Sequence, residues 1–185
     1  MQVEVTTYYL EMTDRSELRP KRVYNERLAI KQAHVPLPEL NRFLYTAVGG
    51  EWYWLDRLSW TYQQWLDWLD RPAVETWVAY VSGTPAGYFE LEVQAEGNVE
   101  LVYFGLLPRF IGQGLGAHVL TSAIVRAWNM GASRVWVHTC TLDHPSALAN
   151  YYARGFRMYR EETHTQALPE HPPGPWPGAP LREAV

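Results

Sequence analysis

Thiols are almost missing from this sequence: among 185 residues there is one cysteine, Cys140. A single thiol excludes an intramolecular disulfide. With no CxxC pair and no paired Cys/His spacing, it argues against a structural zinc site too. Such sparing thiol usage fits a reducing compartment. Surplus positive charge is the second absence. Lys and Arg number 16 against 20 Asp and Glu, for a formal net charge of -4, and no basic cluster occurs. Nothing here neutralises a run of phosphates, so nucleic acid is not an expected partner. Long apolar runs are the third. No stretch approaches the roughly 20 residues that cross a bilayer, and Met1-Gln2-Val3-Glu4-Val5 lacks the basic segment and apolar core of an export signal. The expectation is a cytoplasmic protein with no membrane association and no metal.

What the chain has in plenty is aromatic surface, with nine Trp and twelve Tyr. Most of the Trp fall between Glu51 and Trp77, in Trp52-Tyr53-Trp54 and Gln63-Gln64-Trp65-Leu66-Asp67-Trp68. Aromatics bury large areas, so core packing is one reading and the lining of an acceptor pocket the other. At 47% hydrophobic and 19% charged the chain can bury one core but not two. We expect a single domain over residues 1–165 and a tail over 166–185. Six of the thirteen prolines lie between Pro169 and Pro180, with Gly174, Gly178 and Trp176 among them. Such a segment sustains neither a helix nor a central strand. It is either disordered or a strap packed on the domain through Trp176.

Alternation from Val3 to Met12 predicts a first strand. From Leu18 to Leu44 apolar residues recur at helical spacing, broken by Val35-Pro36-Leu37-Pro38, which predicts two helical pieces. Gly49-Gly50 ends the second, and a third short helix spans Thr61 to Leu69. Three strands joined by short turns follow, at Glu75 to Val81, Ala86 to Val93 and Val99 to Leu107, and form an antiparallel meander. A long helix from Gly114 to Met130, a strand from Arg134 to Thr141, a short helix from Pro145 to Ala153 and a last strand to about Thr163 complete the order β-α-α-α-β-β-β-α-β-α-β. The fold class expected is α/β (α+β), with a mixed, mainly antiparallel central sheet flanked by helices.

Between the third meander strand and the long helix lies Leu106-Leu107-Pro108-Arg109-Phe110-Ile111-Gly112-Gln113-Gly114-Leu115-Gly116-Ala117. Its glycines let the backbone approach a ligand closely, and the first N–H groups of the helix point at whatever sits there. Pyrophosphate is the natural guest. The loop by itself also matches a relaxed dinucleotide fingerprint, with Asp143 at about the distance asked of the ribose acid. Against that stands the meander before it, since a dinucleotide fold opens with a parallel β-α-β unit.

The run Leu106-Leu107-Pro108, then Gly112-Gln113-Gly114-Leu115-Gly116, resembles motif A of the GNAT (GCN5-related) N-acetyltransferase superfamily. Ala147-Leu148-Ala149-Asn150-Tyr151-Tyr152-Ala153-Arg154-Gly155-Phe156 resembles motif B, in the right order and at the right distance. The resemblance covers Glu75 to Thr163 well and the first third in outline. It implies the GNAT fold and acetyl-CoA as cosubstrate, with no metal. It further implies cofactor contacts at Leu106, Leu107, Ile111, Gly112, Gln113, Gly114, Leu115, Gly116, Ala117 and Asn150. Two departures stand out. Ile111 occupies the place of the usual Arg or Gln, which leaves the pyrophosphate to backbone N–H groups. His144 stands where motif B often has Asn.

Acetyl transfer to an amine needs a neutral nitrogen, a polarised carbonyl and a stabilised thiolate. By resemblance Tyr151 serves the thiolate; a phenol near 10 is a weaker acid than a thiol near 8.5, so a hydrogen bond suits it better than full proton transfer. A strand glutamate removes the amine proton in several members, which points to Glu100, with Glu92 and His138 in reserve. Cys140 without a paired base is read as packing. The resemblance implies a primary amine of a small molecule or peptide as acceptor, and the aromatic stretch with Glu51, Asp56 and Asp67 is a candidate surface for it. A homodimer is compatible with the sequence. The alternatives are a catalytically silent acyl-CoA-binding module and an NAD(P)-binding oxidoreductase.

Overall fold

Alternating apolar residues build one seven-stranded sheet, and the helical spacings supply its two covers. The structure, a computed structural model, describes residues 1–178; the end of the proline-rich tail, 179–185, lies outside the described residues. Strands β1 (Gln2–Met12), β2 (Leu28–Ala33), β3 (Val74–Val81), β4 (Thr84–Val93), β5 (Asn98–Leu106), β6 (Arg134–Cys140) and β7 (Arg157–Ala167) combine with helices α1 (Pro38–Gly49), α2 (Tyr62–Leu69), α3 (Leu115–Asn129) and α4 (Ala147–Arg154). The sheet order is β2-β3-β4-β5-β6-β1-β7. Every neighbouring pair is antiparallel except β5 and β6. The expected mixed, mainly antiparallel sheet is what forms.

The first of the expected helices does not exist. Leu28–Ala33 is instead an edge strand on β3, with Leu28 facing Val81 and Ile30 facing Ala79. Leu28 and Ile30 sit two apart, so they turn to one face together and pack on the core. The segment before them is held extended along α3, where Lys21 N–H donates to Thr121 Oγ1 (3.0 Å) and Val23 N–H to His118 Nδ1 (3.0 Å). Backbone groups that a helix would pair internally are satisfied by α3 side chains, and tertiary context overrides the local spacing.

The two faces of the sheet carry different chemistry. On one, Phe89, Leu91, Leu101, Val135, Val137 and Leu10 pack on Val119, Leu120, Ala123 and Ile124 of α3. On the other, α1 and α2 cover β3 to β5 through Leu44, Val48, Val78 and Tyr88, and through Tyr45, Trp65 and Leu69. Helix α2 starts at a capping box in which Thr61 Oγ1 accepts from Gln64 N–H and the Gln64 side chain accepts from Thr61 N–H.

This second face buries an ion pair. Arg57, in the α1–α2 loop, is 4% exposed and Glu90 of β4 is 1% exposed; Arg57 Nη1 lies 2.9 Å from Glu90 Oε1. Trp60, Trp68 and Tyr103 enclose the guanidinium at 4.5, 4.3 and 4.6 Å from their ring centroids. Trp68 Nε1 also donates to Glu90 Oε1 (2.8 Å). The aromatic cluster therefore divides. Trp60, Trp65 and Trp68 belong to the core around the chain's own cation, Trp54 joins that core against Tyr45 and Tyr103, and Trp52 packs on His144 instead.

Gly49 and Gly50 each permit a close approach. A side chain at Gly49 would meet the Trp54 ring, and one at Gly50 would meet the backbone of Gly174. Gly174 N–H donates to Gly50 O (3.0 Å), so the segment after β7 straps back across the domain as far as α1. Gly174, rather than the 59% exposed Trp176, is the docking point.

Removing one partner of a buried pair strands the other charge, at roughly 3–5 kcal/mol. Arg57→Met is expected to lower the unfolding free energy by about that amount in urea titration; an unchanged midpoint would show that the α1–α2 loop is anchored by its tryptophans alone.

Candidate functional site

Strands β5 and β6 run parallel for three residue pairs only, Asn98 with Arg134, Val99 with Val135 and Glu100 with Trp136. Beyond Glu100 they part. On the β4 side the register slips at the same point, Leu91 facing Leu101 and Glu90 facing Tyr103, so Val102 is an inserted residue. A bulge of this kind bends its strand and increases its twist. Strand β6 continues straight along β1. The parted edges open a cavity of about 690 Å³ whose walls include Tyr103 to Leu106 on one side and Val137, His138 and Cys140 on the other. A strand edge with no neighbour presents unpaired N–H and C=O groups.

The glycine loop closes one end of this cavity. Gly112 and Gly114 have φ of 83° and 77°, in the left-handed region that favours glycine. Gly114 is the N-cap of α3 and supplies no side-chain cap, so the first N–H groups of a 15-residue helix are left for a ligand. Gly116 lies close to Asn150: a side chain there would come within 3.9 Å of Asn150 Nδ2. Ile111, Gly112, Gly114, Gly116, Ala117, Asn150 and Leu106 all line the cavity. Leu107, Gln113 and Leu115 are not among the lining residues: Leu107 N–H donates to Ala86 O (2.9 Å), the Gln113 side chain donates through Nε2 to Arg109 O (2.8 Å), and the Leu115 side chain is buried in the core.

Tyr151, on α4, is 5% exposed and wedges into the split, its ring 6.2 Å from Phe104 and 5.9 Å from Phe156. Burial pushes its hydroxyl well above the ordinary phenol value, so it enters as a hydrogen-bond donor and not as an anion. Tyr152 points outward and is not among the cavity residues.

Glu100, 8% exposed, does not line the cavity itself. Its Oε2 accepts from Gln94 Nε2 (2.7 Å), and its Oε1 lies 3.7 Å from Nε2 of His138, which does line it. Burial pushes the Glu100 carboxyl up to about 7; the Gln94 hydrogen bond pulls it down, and the neighbouring Glu92 pushes it up. Glu92 is committed to Arg71 and Gln94. The His138 side chain is 47% exposed, and partial desolvation by its packed surroundings holds it below its ordinary value, against the pull of Asp143 and Asp56. Cys140 faces the cavity with its thiol pushed up by burial, which disfavours a nucleophilic thiolate.

Asp143 accepts from Trp54 Nε1 (3.2 Å), Thr139 Oγ1 (2.6 Å) and Cys140 N–H (3.1 Å). These bonds tie the α1–α2 loop to the β6–α4 loop and leave the carboxylate unsuited to a ribose. His144 packs its ring 5.0 Å from Trp52, and its Nδ1 accepts from Ser146 N–H. Trp52, Tyr53, Trp54 and Asp56 of the α1–α2 loop also line the cavity. Thr7 of β1 and His164 and Gln166 of β7 join them. Sequence reasoning missed these last three, whose proximity depends on β1 lying between β6 and β7.

A carboxyl that keeps its proton to about pH 7 when folded, yet loses it near 4.5 when unfolded, stabilises the fold below 4.5, and that contribution is lost as pH rises through 7. Over this window wild type should lose about 3 kcal/mol more than Glu100→Gln. Urea unfolding of both proteins from pH 4.5 to 8 reads the difference; parallel curves would mean that Glu100 titrates normally.

Among solved structures, a GCN5-related N-acetyltransferase from Kribbella flavida superposes with a TM-score of 0.63 at 18% identity, covering 89% of this chain and 59% of that one. Another from Sphaerobacter thermophilus gives 0.65 at 14% identity, covering 88% and 51%. An aminoglycoside acetyltransferase from an uncultured soil metagenomic sample gives 0.59 at 14% identity, covering 70% and 88%. At such identities the likeness shows the fold, and this chain spans only half to three-fifths of the first two proteins. No curated protein matches it. The acetyltransferase (GNAT) family model does match, across residues 38–156, a span that holds α1, the split strands, the glycine loop and Tyr151; by that match the chain belongs to the GNAT acetyltransferase family.

Proposed function

We propose that this protein moves the acetyl group of acetyl-CoA to a primary amine of a small molecule or peptide, by direct attack while both substrates are bound. The observation that carries this reading is the parting of β5 from β6 over a cavity whose one end is the uncapped N-terminus of α3. Backbone N–H groups from Gly112 to Ala117 receive the pyrophosphate, since Ile111 has no polar group to offer. The bare edge of β5 from Tyr103 to Leu106 receives the amide groups of the pantetheine arm as an added strand would be received. Asn150 supports the same arm beside Gly116.

At the waist of the cavity, Tyr151 donates its hydroxyl proton in a hydrogen bond to the sulfur as negative charge develops there. The amine enters from the opposite end, where Trp52 and Trp54 offer ring faces and Asp56 a carboxylate to a cationic group. That the aminoglycoside acetyltransferase shares the fold, and that this chain carries a net charge of -4, supports a cationic acceptor. Glu100, behind the cavity wall, takes part in removing the proton that keeps the nitrogen from attacking.

Tyr151→Phe is expected to lower kcat by roughly 10- to 100-fold, the worth of one hydrogen bond to a charged group, with KM for acetyl-CoA little changed. Tyr152→Phe is expected to match wild type. Thiol release across a panel of primary amines measures both. Equilibrium titration supplies the complementary check: CoA binds and NAD(P) does not. CoA binding with no turnover of any amine, and no effect of Tyr151→Phe, would leave the protein an acyl-CoA-binding module.

A further inference from the structure

Four side chains from three elements form a line running from the sheet's second face to the cavity. Trp136 Nε1 of β6 donates to Gln94 Oε1 (3.0 Å). That bond fixes which way round the Gln94 amide sits, so its Nε2 must face the carboxylates. From there it donates to Glu92 Oε2 (3.0 Å) and Glu100 Oε2 (2.7 Å). With Oε2 held, the second oxygen of Glu100 is turned toward His138, Nε2 to Oε1 being 3.7 Å. His138 reaches the cavity, and Glu100 does not.

We infer that His138 takes the proton from the acceptor amine, that Glu100 receives charge behind it, and that Gln94, oriented by Trp136, is the positioning residue that aims Glu100 at the imidazole. This rests on the acetyl-transfer reading. An ammonium acceptor gives one proton to His138 Nδ1, while the proton on Nε2 passes to Glu100 Oε1. The freed nitrogen pair forms the N–C bond, the C–S bond breaks with its electron pair going to sulfur, and the nitrogen's second proton ends on that sulfur. The first proton returns through His138, which is half exposed, to solvent. One ammonium and one thioester thus become one amide, one thiol and one released proton.

The surroundings suit this traffic. Glu100 faces Glu92 and Glu90 of β4, together with Arg57 of the α1–α2 loop, and its proton affinity is raised toward neutrality. Glu92 is neutralised by Arg71 and Glu90 by Arg57. His138 faces Tyr9 of β1, Asp143 of the β6–α4 loop and Asp56 of the α1–α2 loop, with Trp136 and Cys140 on its own strand. Glu100 is raised and His138 lowered from their ordinary values, and at 3.7 Å their titrations are coupled, the proton crossing through one bridging water or when the imidazole closes to hydrogen-bond distance.

The test has one readout that needs no turnover. Imidazole titration of His138 followed by NMR in the free protein is expected to show two steps, collapsing to one in Glu100→Gln. The second readout is the pH profile of kcat/KM for the amine. Gln94→Leu removes a donor from the carboxylate, so the midpoint should rise by about one pH unit, and Trp136→Phe should move it the same way by less. His138→Gln should lower kcat at least tenfold while KM for acetyl-CoA holds. A one-step His138 titration that Glu100→Gln does not alter overturns the relay, as does a Gln94→Leu profile superimposed on wild type. If no amine is turned over while the two-step titration is present, it is the acetyl-transfer reading that fails and the coupled pair that stands.

Discussion

The structure depends on β5 and β6 ceasing to be neighbours. Three paired residues hold them together at one end, and the cavity lies where the pairing stops. Leaving two strand edges unpaired inside a domain is unfavourable unless something else meets their backbone groups. The fold makes the parting possible from both sides: Val102 bulges β5 away, β1 keeps β6 straight, and Tyr151 of α4 fills the wedge behind Phe104. What remains is a slot with hydrogen-bonding walls and an electropositive helix end. A long, flexible ligand with amide groups in its middle and phosphates at its end fits such a slot.

Charge is arranged around this slot with little waste. The sheet's second face carries three glutamates on β4 and β5, of which Glu90 is matched by Arg57 and Glu92 by Arg71. Glu100 is held by Gln94 and lies beside a half-exposed histidine; burial above all, with Glu92 and Glu90 adding to it against the pull of Gln94 and Arg57, raises its proton affinity. Arg57 does double duty. Its guanidinium fills the tryptophan enclosure that could otherwise hold a foreign cation, and it pins the loop that brings Trp52, Trp54 and Asp56 to the cavity. This part of the cavity wall is thereby built from a loop, yet a loop fastened to the core at its centre.

Most of this fold was legible because α3, α4 and the meander each combine a clear period with clear punctuation: Ser82-Gly83 between β3 and β4, Gly131 after α3, Gly155 after α4. The glycine loop and the Tyr151 helix were legible as a pair of spaced motifs. Three things were not. Leu28–Ala33 has no decisive period, since Leu28, Ala29, Ile30 and Ala33 are all apolar, and only the open edge of β3 decides. The Val102 bulge leaves no mark in the sequence, since a one-residue register slip depends on the partner strand. The Trp136–Gln94–Glu100 line joins residues brought together by sheet register, and the aromatic stretch hid its division because Arg57, which claims half of it, is an ordinary loop residue by type.

The position of β1 has a consequence for how the molecule comes into being. This first strand lies between β6 and β7, and Thr6 alone bonds to residues 135 and 157 positions further along; even Met1 pairs its terminus with Leu168 (2.6 Å). During synthesis β1 emerges first and finds no partner until nearly all the domain has followed it. Loop closure over such distances is slow, and an unpaired strand rich in Val, Thr and Tyr is sticky while it waits. The slot, whose straight wall is β6 braced by β1, is accordingly among the last features to exist, and a nascent chain stalled before β6 would carry the meander and the glycine loop without a cavity between them.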